Sequence, residues 1–145
     1  MQTTLPQTEQ LASRLRLAIT RAARRLRQEA DAGLSPSLTA SLSSIDRHGP
    51  LTPSRLAEIE RVQRPTATRL VARLEEDGLV TREGDPDDGR VSHVRVTPEG
   101  RALVKRLRSR KNAYLAKRLR GLDEDELATL ERATAILERV LEGAE

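Results

Sequence analysis

The chain has 145 residues, enough for one compact domain that withdraws about two-thirds of its unfolded surface from water. It holds no cysteine, two histidines (His48 and His93) and a single aromatic residue, Tyr114, which excludes disulfides, thiol sensing and Cys-ligated zinc and leaves little with which to line an aromatic pocket. The net charge of +4 favours polyanionic partners, and with no membrane-length apolar run and no signal-peptide core the expectation is a cytoplasmic protein with no membrane partner, cofactor or metal.

The first long apolar stripe covers roughly residues 8–31, with Leu11, Leu15, Ala18, Ile19, Ala22 and Leu26 three or four apart, as one face of a helix requires. Gly33 stops it. Ser35-Pro36 then pairs an N-cap with a proline suited to the first helical position, and Leu38, Leu42 and Ile45 mark a second helix that Gly49-Pro50 ends. Thr52-Pro53 repeats that start for a short helix with Leu56, Ala57 and Ile59 inward. A fourth helix begins at Arg64-Pro65, runs to about Asp77 and stops at Gly78, its apolar set being Ala67, Leu70, Val71 and Leu74.

The period then changes from helical to alternating. Leu79–Arg82 predicts a strand, Gly84-Asp85-Pro86-Asp87-Asp88-Gly89 is a dense turn signal, and Ser92, Val94 and Val96 share one face of a returning strand. Thr97-Pro98 starts a long helix, about 98–120, with Leu103, Val104, Leu107, Leu115 and Leu119. Asp123 and Glu126 have the spacing of a capping box for a last helix that carries Leu127, Leu130, Ala133, Leu137, Val140 and Leu141. The predicted fold is mainly α with a small β-hairpin wing: a winged helix-turn-helix over 35–100, bracketed by dimerisation helices at 1–34 and 101–145, in one compact domain.

The outward side of the fourth helix carries Pro65, Thr66, Thr68, Arg69, Ala72 and Arg73. Small side chains let a helix backbone approach the major groove, while hydroxyls and guanidinium forks suit base edges and phosphates. The helix start, at Arg64, adds unpaired N–H groups that suit a phosphate. An exposed arginine face is also what an ordinary solvated helix shows; the hairpin beside it favours nucleic acid. At the hairpin tip Arg90 is placed for a narrow minor groove, and one of Asp85, Asp87 or Asp88 can orient it by a charge-assisted bond. Taken alone, that acidic loop is simply a good turn.

The run Arg64-Pro65-Thr66-Ala67-Thr68-Arg69-Leu70-Val71, then Leu74-Glu75-Glu76-Asp77-Gly78-Leu79-Val80, resembles the MarR (multiple antibiotic resistance regulator) family. So do the wing Asp85-Pro86-Asp87-Asp88-Gly89-Arg90 and the exit Val96-Thr97-Pro98-Glu99-Gly100, the strongest likeness spanning about 52–100. The resemblance implies a triangular homodimer with terminal helices interlocked at its apex, and a helix starting near Pro65 in the major groove of double-stranded DNA. It implies that Asp88-Gly89-Arg90 supplies the minor-groove arginine. It further implies a pseudo-palindromic operator, usually repression, and often release by a small-molecule effector held between the dimerisation and DNA-binding parts. This chain departs from the family in lacking both the cysteine of its peroxide-sensing branch and the aromatic residues that often line its ligand crevice.

The terminal helices carry an argument of their own. A small winged domain cannot cover both the 8–31 stripe and the last helix, some 30 Å long. Pairing with a second subunit covers both, through Leu11, Leu15, Ile19, Leu119, Leu127, Leu130, Leu137, Val140 and Leu141; an intrachain bundle is the other solution. Residues 101–120 hold nine Lys or Arg and no acid, whereas 121–145 hold eight acids against Arg132 and Arg139. The acidic helix is therefore expected to meet basic groups such as Arg14, Arg21 or Arg24 across the dimer. The basic run is expected to be mostly solvated or paired with that helix. No Gly-rich phosphate loop, activated nucleophile or metal-ligand spacing occurs, so no enzyme is expected; His48 is expected to meet helix-terminal carbonyls and His93 to lie on the wing's outer face. The competing reading is a winged-helix protein-interaction module or a non-specific architectural DNA binder.

Overall fold

A computed structural model describes residues 5–142. Its order is α1 (Leu5–Glu29), α2 (Pro36–His48), α3 (Pro53–Glu60), α4 (Arg64–Glu76), β1 (Val80–Gly84), β2 (Ser92–Val96), α5 (Pro98–Leu119) and α6 (Glu124–Glu142). This is the helical architecture with a two-stranded wing that the periodicity implies.

Local chemistry sets the helix starts. Ser35, Thr52 and Thr97 each sit in extended backbone, and each side-chain hydroxyl accepts from the N–H three residues on, at 3.2 Å, 3.1 Å and 3.1 Å. A proline follows each cap, where its missing N–H costs nothing. At α6 the capping box is complete: Glu126 N–H donates to Asp123 Oδ1 at 2.8 Å, and Asp123 N–H donates to Glu126 Oε1 at 3.3 Å.

The core sits where α2, α3, α4, the hairpin and the first half of α5 converge. Leu42 and Ile45 of α2, Leu56 of α3, Ala67, Val71 and Leu74 of α4, and Val94 of β2 are all within 1% of full burial. Leu103, Val104 and Leu107 close the core from α5. The hairpin is antiparallel, with Val80 opposite Val96 and Gly84 opposite Ser92. Leu51 adds a bridge to Val94: its N–H donates to the Val94 carbonyl at 3.0 Å, and its carbonyl accepts from the Val94 N–H at 2.7 Å. The wing therefore has a third-strand contact that no alternating pattern around Leu51 announces.

Between α3 and α4 the turn is made by Arg61 in left-handed conformation, φ 54° and ψ 46°, where glycine is the usual residue. Arg61 N–H and Val62 N–H return to the carbonyls of Glu58 and Ala57 at 3.3 Å and 3.0 Å, which turns the chain tightly into α4.

Outside this core the burial stops. α1 packs on α5, but its stripe is buried only at its end: Leu26 is half-buried, while Leu11 (60% exposed), Leu15 and Ile19 lie open. α6 shares no packed interface with any other helix or strand among the described residues, and none of its side chains is buried. An intrachain bundle is therefore not how this chain covers its last helix.

Candidate nucleic-acid interface

α4 presents two faces. Ala67, Val71 and Leu74 are buried and Leu70 half-buried, which pins the helix to the core by one side. Arg64, Pro65, Thr68, Arg69 and Arg73 are exposed on the other, with Thr66 half-buried beside them. All six expected recognition residues thus lie on the first three turns of one helix.

Their chemistry is not uniform. Thr68 Oγ1 donates to the Arg64 carbonyl at 3.0 Å, and an Arg69 amine donates to Thr66 Oγ1 at 3.4 Å. Both hydroxyls keep lone pairs for a further donor. Arg73 Nε is 3.4 Å from Asp77 Oδ2, so that guanidinium is already paired one turn along. Arg64 has no side-chain partner among the described residues and remains the freer cation. The N-cap of α4 is Gln63, which makes no side-chain cap bond. This start therefore differs from those of α2, α3 and α5, and its leading N–H groups can receive an external oxyanion.

The wing is held to this helix. Arg82 Nε of β1 lies 3.5 Å from Glu75 Oε2 of α4, an ion pair between elements, without a hydrogen bond, that sequence spacing does not reveal. At the tip, Asp88 Oδ1 accepts from both the backbone N–H and the Nε of Arg90, at 3.1 Å and 3.2 Å. The Arg90 side chain is 92% exposed, so the carboxylate aims the guanidinium outward rather than burying it. Asp88 is thus the orienting acid among the three aspartates of the loop.

Asp85 has a different task. Its Oδ1 accepts from the N–H groups of Asp87 and Asp88 at 2.8 Å and 3.2 Å, and its Oδ2 lies 3.0 Å from His93 Nε2. His93 does face outward on β2, but it is engaged in closing the loop. The signal for this was the tendency of Asp to bond its own backbone two residues on. His48 ends α2, is exposed, and makes no side-chain bond to terminal carbonyls, contrary to expectation.

The His93 hydrogen bond, and next the Asp87 N–H, hold the Asp85 carboxyl below the usual carboxylate range. A depressed folded value means that this contribution to loop order is present above the ordinary carboxylate pKa and is lost as pH falls through the depressed value. Asp85→Asn is therefore expected to speed amide hydrogen exchange at Asp87 and Asp88 at pH 7. In wild type the same acceleration should begin only in acid. Unchanged exchange in the variant would remove Asp85 from this role.

Of the two arrangements expected for the basic run of α5, solvated or paired with α6, the side chains show the first: most of them are exposed. Arg101 Nε is 3.6 Å from Asp46 Oδ1 on α2, and no ion pair joins α5 to α6 among the described residues. Arg106, Arg108 and Arg110 are exposed on the solvent side of α5. Of the residues expected to dimerise, Leu119 and Leu137 are half-buried; Leu127, Leu130, Val140 and Leu141 are exposed. No group of three or more His, Cys, Asp or Glu placed to hold a metal ion, and no helix long and apolar enough to cross a membrane, occurs among the described residues.

A sequence profile for the MarR family matches residues 34–92. The chain is 38% identical over 128 residues to an HTH-type transcriptional regulator of Mycobacterium leprae, covering 88% of this chain and 90% of that one. It is 30% identical over 113 residues to the HTH-type transcriptional repressor MdtR of Bacillus subtilis, covering 78% of this chain and 73% of that one. Among solved structures, a transcriptional regulator protein from Pseudomonas aeruginosa superposes with a TM-score of 0.85 at 35% identity, over 96% of this chain and 98% of that chain.

Proposed function

The chain belongs to the MarR family of DNA-binding transcriptional regulators, and from that premise we propose that it is a repressor acting as a homodimer on a pseudo-palindromic operator. The observation that carries the dimer is the open apolar face of α6, which shares no packed interface with another helix or strand among the described residues. Residues 1–34 and 101–145 supply the dimer contacts in this reading, and 35–100 contact DNA. A two-fold dimer presents its two α4 helices about one DNA turn, roughly 34 Å, apart. The uncapped start of α4 with Arg64, Thr66, Thr68 and Arg69 enters the major groove; Arg90, held by Asp88, enters the minor groove. Arg73 serves as a secondary phosphate contact, because Asp77 competes for it.

A crevice of about 510 Å³ runs between α1, α2, the end of α3 and α4, with Leu26 and Arg27 of α1 on one side and Glu60 of α3 and Leu70 of α4 on the other. The buried Ser41 hydroxyl on its wall has no hydrogen-bond partner. A small effector seated there would touch both the dimerising α1 and the recognition helix α4 through Leu70, which supports release of DNA by ligand.

The test is operator binding by Arg69→Ala and Arg90→Ala, both at exposed positions. Each is expected to weaken specific binding about 10- to 100-fold, with melting temperature unchanged. Arg90→Ala should also reduce the slope of log affinity against log salt by about one. Full operator affinity in both variants overturns the site. Equal binding to operator and unrelated DNA by the wild type would favour an architectural role.

A further inference from the structure

A relay of hydrogen bonds closes the wing loop, and it begins at a titratable ring. His93 Nε2 lies 3.0 Å from Asp85 Oδ2, and the other oxygen of that carboxylate accepts from the Asp88 N–H at 3.2 Å. Asp88 in turn holds Arg90, whose Nε donates to its carboxylate at 3.2 Å. Backbone bonds complete the loop: Asp85 N–H donates to the Val91 carbonyl at 2.9 Å, and Val91 N–H to the Asp88 carbonyl at 3.0 Å. Asp85 therefore joins the imidazole of β2 to the backbone of the residue that aims Arg90.

His93 and Arg95 alternate with the buried Val94 and Val96, so they lie on the outer face of β2, while α2, α3 and α5 pack against its apolar side. The charged groups on the outer face belong to the hairpin itself. Glu83 stands directly across the ladder from His93, and Arg95 draws the Glu83 carboxylate to 3.7 Å. The ring thus faces two carboxylates, of Asp85 and Glu83, and one guanidinium. Its side chain keeps 35% of its surface exposed, so solvent protons reach it. A neutral ring gives Asp85 one N–H. A protonated ring gives the same N–H with a full positive charge behind it, which strengthens the bond. The Asp85 carboxyl is held below the usual carboxylate range, first by this bond, and stays ionised over the range of about pH 5 to 8 in which imidazoles gain and lose their proton.

We propose that His93 and Asp85 form a proton-operated clasp: a proton on His93 tightens the wing loop and fixes Arg90 for the minor groove, so that operator binding strengthens as pH falls from about 8 to about 6. The proposal rests on Arg90 contacting DNA and adds a signal that sets how firmly it does so. The sign follows from where the bond exists. The extra attraction is present in the closed loop and absent from the open one, so the proton favours the closed loop. In stronger acid the carboxyl of Asp85 itself takes up a proton and the clasp is lost, so the tightening reverses there.

The experiment measures operator affinity of the full chain at about pH 6 and about pH 8, at constant ionic strength. Beside it, amide exchange of the free protein reads the protection of the Asp88 N–H, corrected for the intrinsic effect of pH on exchange. A part-exposed pair of this kind is worth a factor of about 2 to 5, and the two wings of a dimer multiply, so wild type is expected to bind about 4- to 25-fold tighter at the lower pH. His93→Gln, whose amide can donate to Asp85 but takes up no proton, should show no such change. Asp85→Asn, which removes the carboxylate, should show none either. His48→Gln, at the exposed end of α2, should behave as wild type. Equal affinity of wild type at both pH values overturns the proposal. So does an Asp85→Asn variant that keeps the full change, because a charged His93 would then act on DNA directly. Wild type that selects no operator at either pH removes the DNA-binding reading, and exchange still decides the clasp. Asp88 N–H protection that rises about 2- to 5-fold at the lower pH in wild type, and not in His93→Gln, supports it; equal protection overturns it.

Discussion

Leu130→Asp combined with Leu137→Asp is expected to convert the protein to a monomer and to lower operator affinity by about 10²- to 10⁴-fold. Both residues lie on the α6 stripe, and Leu130 keeps 43% of its surface exposed within its own chain. Burying two carboxylates against the apolar surface of a second subunit carries a desolvation cost that a modest interface cannot recover. The winged domain should remain folded, because α6 contributes nothing to the core formed by α2, α3, α4, the hairpin and α5. The affinity loss is that of uncoupling two half-sites: the second contact no longer benefits from the effective concentration that the first provides. The measurement is binding to a full operator and to a single half-site, alongside sedimentation. Half-site affinity should be nearly unchanged while full-operator affinity collapses. A dimeric variant with full affinity would show that α6 does not form the interface.

Gly100→Ala is expected to destabilise the protein by about 3 kcal/mol, at the upper end of what one added methyl costs in a tightly packed place. A Cβ at Gly100 would lie 2.1 Å from the Leu79 carbonyl oxygen and 2.9 Å from Val96 Cγ2. The carbonyl is backbone and is already engaged, accepting from Thr97 N–H at 3.0 Å. It cannot swing aside as a flexible side chain would. Thr97 Oγ1 also donates to the Gly78 carbonyl at 2.7 Å, so the base of the wing, the end of α4 and the first turn of α5 are fastened together here. The midpoint of thermal unfolding should fall by on the order of 10 °C. Operator binding should weaken even at temperatures where the chain is folded, because the wing and α4 share this junction. Gly121→Ala is the control: its Cβ would meet only the Arg118 carbonyl oxygen, at an ordinary 3.7 Å, and stability should change little.

Much of the fold was legible before any coordinates. The Ser-Pro and Thr-Pro starts, the capping box at Asp123 and the glycine stops each act within a few residues, so they survive into the structure almost unchanged. The inward sets of α3 and α4 were legible for the same reason: a period of 3.6 residues decides which side chains share a face. The exposed arginine and threonine side of α4 followed directly. What composition could not supply was the difference between cations on that side. Arg73 and Asp77 are four residues apart, yet whether they pair depends on the rotamers that the surrounding surface allows.

The sequence by itself determined the helices, the hairpin, the outward face of α4 and the mismatch between apolar surface and domain size, because all of these depend on local periodicity and totals. Only the tertiary structure decided that Asp88 rather than Asp85 holds Arg90, that Asp85 closes the loop with His93 eight residues on, and that Arg82 ties the wing to Glu75. It alone placed Leu51 against the hairpin, gave Gly100 its contact with Leu79, and left α6 without a packed interface among the described residues. Each of these joins groups by the path of the backbone through space, and spacing along the chain carries no record of that path.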